Sequence, residues 1–432
     1  MTKAVYLCRL TKNVVEEKID HRNLPMPTVS HRSHTVPLSP FRKLIPLADA
    51  AKVRGRKVYH LNIGQPDILT PPLALKKFRE VPLEILAYSP AEGNLSYRQA
   101  LVDYYLRYDI DLVTENIIVT TGGSEAILFF MLACLDPGDE IIVPEPFYAN
   151  YNGFAHIADI RVIPITCEIE DGFSLPSMAA FAAKITPRTK AIFITNPNNP
   201  TGCSYSPAEL YALTELVVQH DLFLCADEVY REFCYDGNLF LSALSLPGLA
   251  EHAVVIDSVS KRYSACGARV GALVTRNTQV TDAISRYAKL RLSPPGLGQI
   301  LSEFMLEEDT AYLSGVKDAY EKRRDLVYQR LQAMPGVTSY LPGGAFYCFA
   351  RFPIHSAEDF CRWLLEEFSY QGATVMLSPG QGFYATPGLG VDEVRIAYVL
   401  NEQDLGAAMD CLEVALATYP GVKRAAAETV SR

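Results

Sequence analysis

The chain has 432 residues, of which 49% are hydrophobic and 21% are charged, and its formal net charge is −9. This composition is typical of a globular protein, and this length accommodates one large domain and a smaller one. The negative charge argues against a nucleic-acid partner, because phosphate backbones bind to basic surfaces.

The ten cysteines form no CxxC pair and show no zinc spacing, so we interpret them as reduced thiols of a cytoplasmic protein. His31 and His34 have no carboxylate or cysteine close by, and we therefore predict no metal site. Residues 1–10 lack the long apolar stretch of a secretion signal. The longest apolar run, residues 126–135, is too short to cross a bilayer, so we predict a soluble protein without a membrane partner.

Proline dominates the start of the chain. Pro25, Pro27, Pro37 and Pro40 should interrupt any helix there, so residues 1–40 are predicted to be irregular. We interpret this segment as an N-terminal arm that lies over another surface, such as that of a partner subunit.

Short apolar strands then alternate with helices. Ser206-Pro207-Ala208-Glu209 predicts the start of a helix that runs to about His220, because it combines a capping box with proline at the first helical position. Another helix should follow Gly122-Gly123 and end near Leu135. The alternation predicts a mostly parallel sheet covered on both faces. The strands of this sheet are predicted at residues 116–120, 140–143, 191–195, 222–226, 254–257 and 268–274.

The pattern changes after about residue 305, where a long charged helix is predicted over residues 314–334. Shorter strands follow near residues 345–349, 374–377 and 393–400. We predict an α/β fold with a large domain of residues 71–305. A smaller α+β domain would comprise residues 41–70 and 306–432.

Polar motifs follow several of these strands. Ligands of open α/β sheets bind beyond the carboxyl ends of the strands, so these motifs should converge on one crevice. The motifs are Gly122-Gly123-Ser124, residues 196–202, residues 227–230 and residues 258–261.

Lys261 is the candidate nucleophile. It lies in a serine-rich turn after an apolar strand, and Arg269 follows eight residues later. Burial and a neighbouring cation favour the neutral amine, which is the form that attacks a carbonyl. A surface Lys-Arg pair at a strand end, formed with Arg262, is equally compatible with this segment taken alone.

A candidate anion site begins at the Gly-Gly-Ser turn. Gly123 and Ser124 would offer backbone N–H groups and a hydroxyl at a helix N-terminus, although a simple tight turn fits as well. Arg269 and Ser258 could add a charge and a donor to the same phosphate. Tyr88 would supply one more hydroxyl.

Asp227 follows a strand that carries almost no other charge. It is either a helix cap or a carboxylate that keeps a cofactor's heterocyclic nitrogen protonated. Tyr230 and Asn199 could bond the phenolic oxygen of such a ring. Asn199 belongs to the second of two Asn-Pro steps in residues 196–202, which is more than a turn requires.

Arg395 lies inside an apolar predicted strand. An arginine in this setting needs an anion, such as a substrate carboxylate, or an exposed strand face. The segment alone does not separate these two alternatives.

Together these motifs resemble the class I aminotransferases, the fold-type I enzymes that use pyridoxal 5′-phosphate, over about residues 61–400. The most similar branch is that of the bacterial aspartate aminotransferases. The resemblance implies a cytoplasmic homodimer with small-molecule amino acid and 2-oxo acid substrates. It implies ping-pong transfer of the amino group of L-aspartate to 2-oxoglutarate, which gives oxaloacetate and L-glutamate.

The resemblance also implies roles for individual residues. Lys261 would hold the cofactor as an aldimine and move the substrate proton, and Asp227 would pair with the pyridine nitrogen. Tyr148 would stack on the ring. The substrate would contact Arg395, Asn199 and the backbone of Gly64. The remaining implied cofactor contacts are Gly123, Ser124, Asn199, Tyr230, Ser258, Arg269 and Tyr88, the last reaching across from the other subunit.

Two positions depart from the family's pattern. Tyr148 stands where many relatives have tryptophan, but any flat aromatic side chain can stack. The residue that reads the second carboxylate of aspartate is not evident. One branch uses an arginine where the nearest match here is Ala288, and another uses a lysine where this chain has Ser124. The candidate substitutes are Lys289, Arg291 and Arg42.

The preferred amino acid therefore stays open. The alternatives are an alanine, aromatic or broad-range aminotransferase and, with the same fold, a carbon–sulfur lyase or a cyclopropane-forming synthase. A ligand-sensing domain of a transcription regulator is disfavoured, because the residues before Leu61 contain too many prolines for a helix-turn-helix.

Overall fold

The structure is a computed structural model that describes residues 27–37, 42–308 and 310–423. Residues 27–36 belong to a unit of their own, in which His31–Thr35 (α1) is helical. The prediction that residues 1–40 contain no helix is wrong here, because Pro27 and Pro37 leave room for one helical turn between them. Most of the predicted arm lies outside the described residues.

Helices and strands alternate through most of the second unit, which begins at Pro37. The helices are α2 (Ile45–Val53), α3 (Pro72–Arg79), α4 (Leu95–Leu106), α5 (Gly122–Cys134), α6 (Asn150–Ala158), α7 (Met178–Ala182), α8 (Pro207–Gln219), α9 (Val259–Arg262), α10 (Thr278–Arg291), α11 (Gly296–Leu306), α12 (Thr310–Ala333), α13 (Ala357–Glu366) and α14 (Glu402–Thr418). The strands are β1 (Lys57–His60), β2 (Ile117–Thr120), β3 (Glu140–Glu145), β4 (Arg161–Thr166), β5 (Thr189–Thr195), β6 (Phe223–Asp227), β7 (Ala253–Ser258), β8 (Gly271–Val274), β9 (Thr338–Ser339), β10 (Tyr347–Arg351), β11 (Ala373–Met376), β12 (Ser378–Pro379) and β13 (Glu393–Ala397).

The largest sheet has seven strands in the order β2-β8-β7-β6-β5-β3-β4. Strand β8 runs antiparallel to β2 and β7, and the other neighbouring strands are parallel. Every residue of β2, β3, β7 and β8 is buried, as expected for strands that helices cover on both faces. The predicted fold class is confirmed, although the sequence analysis did not identify strand β4.

Two smaller sheets are formed by strands that lie before and after residues 117–274, the range of the seven-stranded sheet. Strands β12, β13, β10 and β9 form an antiparallel sheet, and β1 pairs in parallel with β11. Side chains of these strands share a hydrophobic core with α12, α13 and α14. The exact division into residues 71–305 and residues 41–70 with 306–432 stays a prediction.

Helix α8 shows how local sequence sets an element boundary. The Ser206 hydroxyl accepts a hydrogen bond from the Glu209 backbone N–H at 3.3 Å, and the Glu209 carboxylate accepts one from the Ser206 N–H at 2.7 Å. Both halves of the predicted capping box are therefore present, and they satisfy N–H groups that a helix start leaves unpaired.

None of the helices in the described ranges has the length and apolarity that a membrane span requires. The described residues contain no cluster of three or more His, Cys, Asp and Glu side chains suited to a metal ion. The nine cysteines within these ranges are free.

Candidate active site

A cleft of about 670 Å³ lies where β5, β6 and β7 end. Its size suits a small-molecule site, and its place is the one expected for ligands of an open α/β sheet. All but one of the predicted site residues line it, namely Gly64, Gly123, Ser124, Tyr148, Asn199, Asp227, Tyr230, Ser258, Lys261, Arg269 and Arg395. Tyr88 does not line the cleft and is 82% exposed.

Lys261 projects into this cleft from the short helix α9. Its Nζ donates a hydrogen bond to the backbone oxygen of Gly64 at 2.6 Å and lies 3.9 Å from the Cys266 sulfur. The alternative of a surface Lys-Arg pair is wrong, because Lys261 is partly buried and Arg262 is fully buried. The amine thus lies between two distant chain segments and close to a thiol that the sequence analysis missed.

The N-terminus of α5 forms an anion cradle with neighbouring side chains. A side chain at Gly122 would bring its Cβ within 2.7 Å of the Arg269 guanidinium, and Gly122 has a φ of +72°. Glycine is therefore required there both for backbone conformation and for the close approach of Arg269. Ser124 and Ser258 place hydroxyls in the same cleft. Helix-end N–H groups, hydroxyls and a guanidinium together make a donor set suited to a phosphate.

Asp227 is a buried carboxylate at the end of β6, where it is 5% exposed. The Tyr151 hydroxyl donates a hydrogen bond to it at 2.7 Å and also lies 2.7 Å from the Thr195 hydroxyl. Burial raises the pKa of Asp227 to about 6, and the Tyr151 hydrogen bond opposes this rise. A bound cation would therefore stabilise the ionised form strongly.

Three tyrosines, Tyr148, Tyr230 and Tyr347, line the cleft together with Asp227. The Tyr230 hydroxyl lies 2.8 Å from that of Tyr347, and Asn150 donates a hydrogen bond to the Tyr148 hydroxyl at 2.7 Å. A Cβ at Gly64 would come 1.7 Å from the Tyr347 hydroxyl, so only glycine fits between this ring and the cleft. The sequence analysis missed Tyr347, although it predicted the strand that carries it.

Arg395 lies in β13 and is 3% exposed, so the alternative of an exposed strand face is wrong. It donates hydrogen bonds to the Asn199 side-chain oxygen at 2.9 Å and to the backbone oxygen of Asn62 at 2.6 Å. Its guanidinium lies 4.6 Å from the centre of the Tyr347 ring. Burial lowers the pKa of Arg395, an effect that a bound anion would counteract.

The three candidate readers of a second carboxylate occupy different places. Arg291 pairs with Glu125 at 2.8 Å, and Lys289 is 66% exposed and pairs with Glu92. Neither of these two cations lines the cleft, whereas Arg42 does.

Arg42 begins the 3₁₀ turn Arg42–Leu44, and the last residue of this turn, Leu44, is buried in the core. Burial raises the pKa of Tyr148 to about 12, and the positive charges of Arg395 and Arg42 oppose this rise. Tyr148 therefore lies within electrostatic reach of both guanidinium groups.

Tyr151 is a further site residue that the sequence analysis missed. It lies in α6 and is fully buried. No local pattern distinguishes it from a core tyrosine, because its partner Asp227 is 76 residues away in the chain.

The chain is similar in sequence and in structure to several named aminotransferases. The chain is 29% identical to an aspartate aminotransferase of Rhizobium meliloti over 89% of this chain and 95% of the relative. It is 30% identical to an aromatic-amino-acid aminotransferase of Thermococcus litoralis over 90% of this chain and 98% of that protein. The solved structure of the aspartate aminotransferase of Thermotoga maritima is 29% identical, and the match covers 90% of this chain and all of that one with a TM-score of 0.83.

Residues 56–412 match the family model for aminotransferases of class I and II. That range includes the Gly64 segment, the anion cradle, Asp227, Lys261 and Arg395, so the match covers the cleft apart from its wall at Arg42 and Ile45. Because this model matches well over half of the sequence and the solved relatives share the fold, the chain is an enzyme that belongs to the class I and II aminotransferases.

Proposed function

We propose that this aminotransferase uses pyridoxal 5′-phosphate and moves the amino group of L-aspartate to 2-oxoglutarate, giving oxaloacetate and L-glutamate. The observation that carries the proposal is the convergence of an amine, a buried carboxylate and an anion cradle in one cleft. These are Lys261, Asp227 and the N-terminus of α5 with Arg269.

The donor set of the cleft fits this cofactor. The cradle of Ser124, Ser258 and Arg269 would hold the phosphate. Asp227 would pair with the protonated ring nitrogen, which suits a carboxylate whose burial cost a cation can offset. Tyr148 would stack on the ring, while Asn199 and Tyr230 would bond its phenolic oxygen. When bound, this cofactor draws electrons from the substrate's α-carbon and so weakens the Cα–H bond.

The chain's own residues would then bind the substrate and move its proton. Arg395 would hold the substrate α-carboxylate with its planar fork, close to Asn199. The Lys261 amine would take the proton from the substrate Cα as general base. In the half-reaction with the 2-oxo acid, it would donate a proton to Cα. Because one site serves both the amino acid and the 2-oxo acid, the reaction would be ping-pong.

Arg42 supports the assignment of a dicarboxylic substrate. It is exposed yet lines the cleft, and its charge acts on Tyr148 together with that of Arg395. A second guanidinium at the cleft wall could pair with the side-chain carboxylate of aspartate while Arg395 holds the α-carboxylate.

We expect Arg42→Gln to lower kcat/KM for aspartate and glutamate by about 10- to 100-fold, since the hydrogen bonds of a charged pair would be lost. The value for alanine should change by less than about threefold. The matched control is Lys43→Gln, which removes a neighbouring positive charge that pairs with Glu358. Equal losses for aspartate and alanine would remove Arg42 as the reader of the second carboxylate.

The first experiment is a half-reaction followed by visible absorbance. Protein loaded with cofactor is mixed separately with L-aspartate, L-alanine, L-phenylalanine and L-cysteine, without a 2-oxo acid. Rapid conversion by aspartate alone supports the proposal, and the same conversion should be absent from Lys261→Ala. Equal conversion by alanine or phenylalanine would indicate a broad-range or aromatic aminotransferase instead. Release of sulfide from cysteine would indicate a carbon–sulfur lyase.

We also infer that the enzyme is a cytoplasmic homodimer. An exposed apolar segment precedes Ser89, with Ile85 81% and Leu86 63% exposed, and Tyr88 belongs to it. Exposed apolar surface of this kind marks an interaction site, and a second copy of the chain would bring Tyr88 towards a neighbouring cleft. The free cysteines suit a reducing compartment.

A further inference from the structure

Five charged side chains form a buried cluster behind the turn that carries Lys261. We call it the Asp257 cluster, and its side chains are between 0% and 3% exposed. Its members are Glu228, Arg231, Glu232, Asp257 and Arg262. None of the five lines the cleft, so the proposed chemistry does not by itself account for them.

Asp257 and Arg262 close the turn that carries Lys261. The Arg262 Nη2 donates hydrogen bonds to the two Asp257 carboxylate oxygens at 2.9 and 3.1 Å. Asp257 precedes Ser258, and Arg262 follows Lys261 directly. One ion pair therefore joins the two ends of the segment that supplies both a cradle hydroxyl and the amine.

Arg262 is itself held from outside the turn. Its Nε lies 2.6 Å from the Glu232 carboxylate, and its guanidinium lies 4.2 Å from the centre of the Tyr104 ring. Tyr104 also donates a hydrogen bond to Glu232. These contacts leave the Arg262 side chain little freedom to change its orientation.

Asp257 is held from the other side. The Arg231 Nη2 lies 3.1 Å from the Asp257 carboxylate and 3.2 Å from that of Glu228, while the Tyr105 hydroxyl donates a hydrogen bond to Asp257 at 2.9 Å. Glu228 follows Asp227 directly in the chain. The cluster thus ties the Lys261 turn to the segment that carries the buried site carboxylate.

A buried group of ions is a poor source of stability, because the desolvation of each charge offsets much of the attraction. Such a group does impose one geometry, since each donor and acceptor has a fixed direction. We propose that Asp257 and Arg262 are positioning residues that hold the Lys261 amine towards Gly64 and the reacting carbon. This inference rests on the proposed role of Lys261.

Arg262→Lys tests the proposal, because it keeps the charge but replaces the two guanidinium nitrogens that contact Glu232 and Asp257 with a single ammonium. In steady-state assays with aspartate and 2-oxoglutarate, we expect kcat to fall by about 10- to 100-fold, as misplacement of a reacting group by about 1 Å can do, while KM changes by less than about twofold. In the cofactor-free protein, we expect faster modification of Lys261 by an amine-reactive acylating reagent, measured by peptide mass spectrometry, since the amine is released from Gly64.

The matched control is Arg324→Lys. Arg324 is also buried and makes a bidentate pair with an aspartate, Asp236, but it does not line the cleft or contact the Lys261 turn. Both variants should lose stability, and only Arg262→Lys should combine slower turnover with faster Lys261 labelling. If both variants show wild-type labelling and an unchanged kcat, the cluster is structural and the proposal is overturned.

Tyr105→Phe decides the matter if Arg262→Lys does not fold, because it removes one hydrogen bond to Asp257 and keeps the ring. A smaller change in the same two directions supports the proposal, and an unchanged labelling rate and kcat overturns it. Labelling requires neither cofactor nor substrate. A wild-type enzyme that is inactive with aspartate would therefore contradict the proposed function and leave the labelling comparison intact.

Discussion

At the scale of single residues, burial sets the chemistry of Asp227. Its pKa in the folded protein is about 6, against an ordinary value of 3.8. The folded state therefore binds more protons than the unfolded state between these values, and the stability of the cofactor-free protein falls as the pH rises from about 4 to about 6. Above that range the burial cost of the ionised carboxylate is fully present.

Asp227→Asn removes this cost in the cofactor-free protein. We expect the free energy of unfolding of the variant, measured relative to that of wild type, to be about 1.4 kcal/mol higher at pH 8 than at pH 5. The reason is that Asp227 of folded wild type is only partly ionised at pH 5. Urea unfolding at both pH values measures the difference. A gap that is the same at both pH values would mean that the pKa of Asp227 is not raised.

Arg395 is the residue that we propose to bind the substrate α-carboxylate. Arg395→Ala should lower kcat/KM by about 10- to 100-fold for every amino-acid substrate, mainly through KM, because all of them carry the α-carboxylate. Steady-state kinetics with aspartate and alanine tests this. Unchanged KM values for both substrates would assign Arg395 a structural role among Asn62, Asn199 and Tyr347.

At the scale of elements, the capping box of α8 depends only on two residues that are three positions apart, Ser206 and Glu209. Ser206→Ala removes one of its two hydrogen bonds and should cost about 1 kcal/mol in the free energy of unfolding. Urea unfolding of the cofactor-free protein provides the measurement. Ser314→Ala, at an exposed position within α12, is the control and should be neutral or slightly stabilising. Equal effects of the two changes would show that the cap contributes no stability.

At the scale of the whole molecule, the exposed apolar segment around Leu86 is the proposed contact with a second copy. Leu86→Arg should convert dimers to monomers in sedimentation experiments, because a charge would be buried without a partner. Since Tyr88 would then no longer reach a neighbouring cleft, cofactor affinity should fall as well. Val53→Arg, at an apolar position that is 88% exposed, is the control. A Leu86→Arg protein that sediments as wild type does would place the interface elsewhere or exclude a dimer.

Local sequence patterns were enough to predict most of the sheet and much of the cleft. The strand that precedes Asp227, the Gly-Gly-Ser turn and the Lys261 turn are each readable within a few residues, because strand periodicity, caps and tight turns depend on neighbours in the chain. The carboxyl ends of parallel strands lie at one edge of a sheet, so the convergence of these motifs followed from the same reading.

The sequence analysis did not predict the antiparallel direction of β8 or the presence of β4, since strand pairing depends on partners far away in sequence.

The remaining features required the folded chain, because they depend on contacts between residues that are far apart in sequence. Tyr151 meets Asp227 across 76 positions, and Lys261 meets Gly64 across 197. The folded chain also distinguishes the three candidate readers of a second carboxylate. Arg291 and Lys289 pair with carboxylates outside the cleft, whereas Arg42 lines the cleft. By itself, the sequence determined the family through short motifs, and it supplied the candidate site residues that line the cleft. Only the tertiary structure decided which side chains orient them, because burial and distance arise when remote segments pack together.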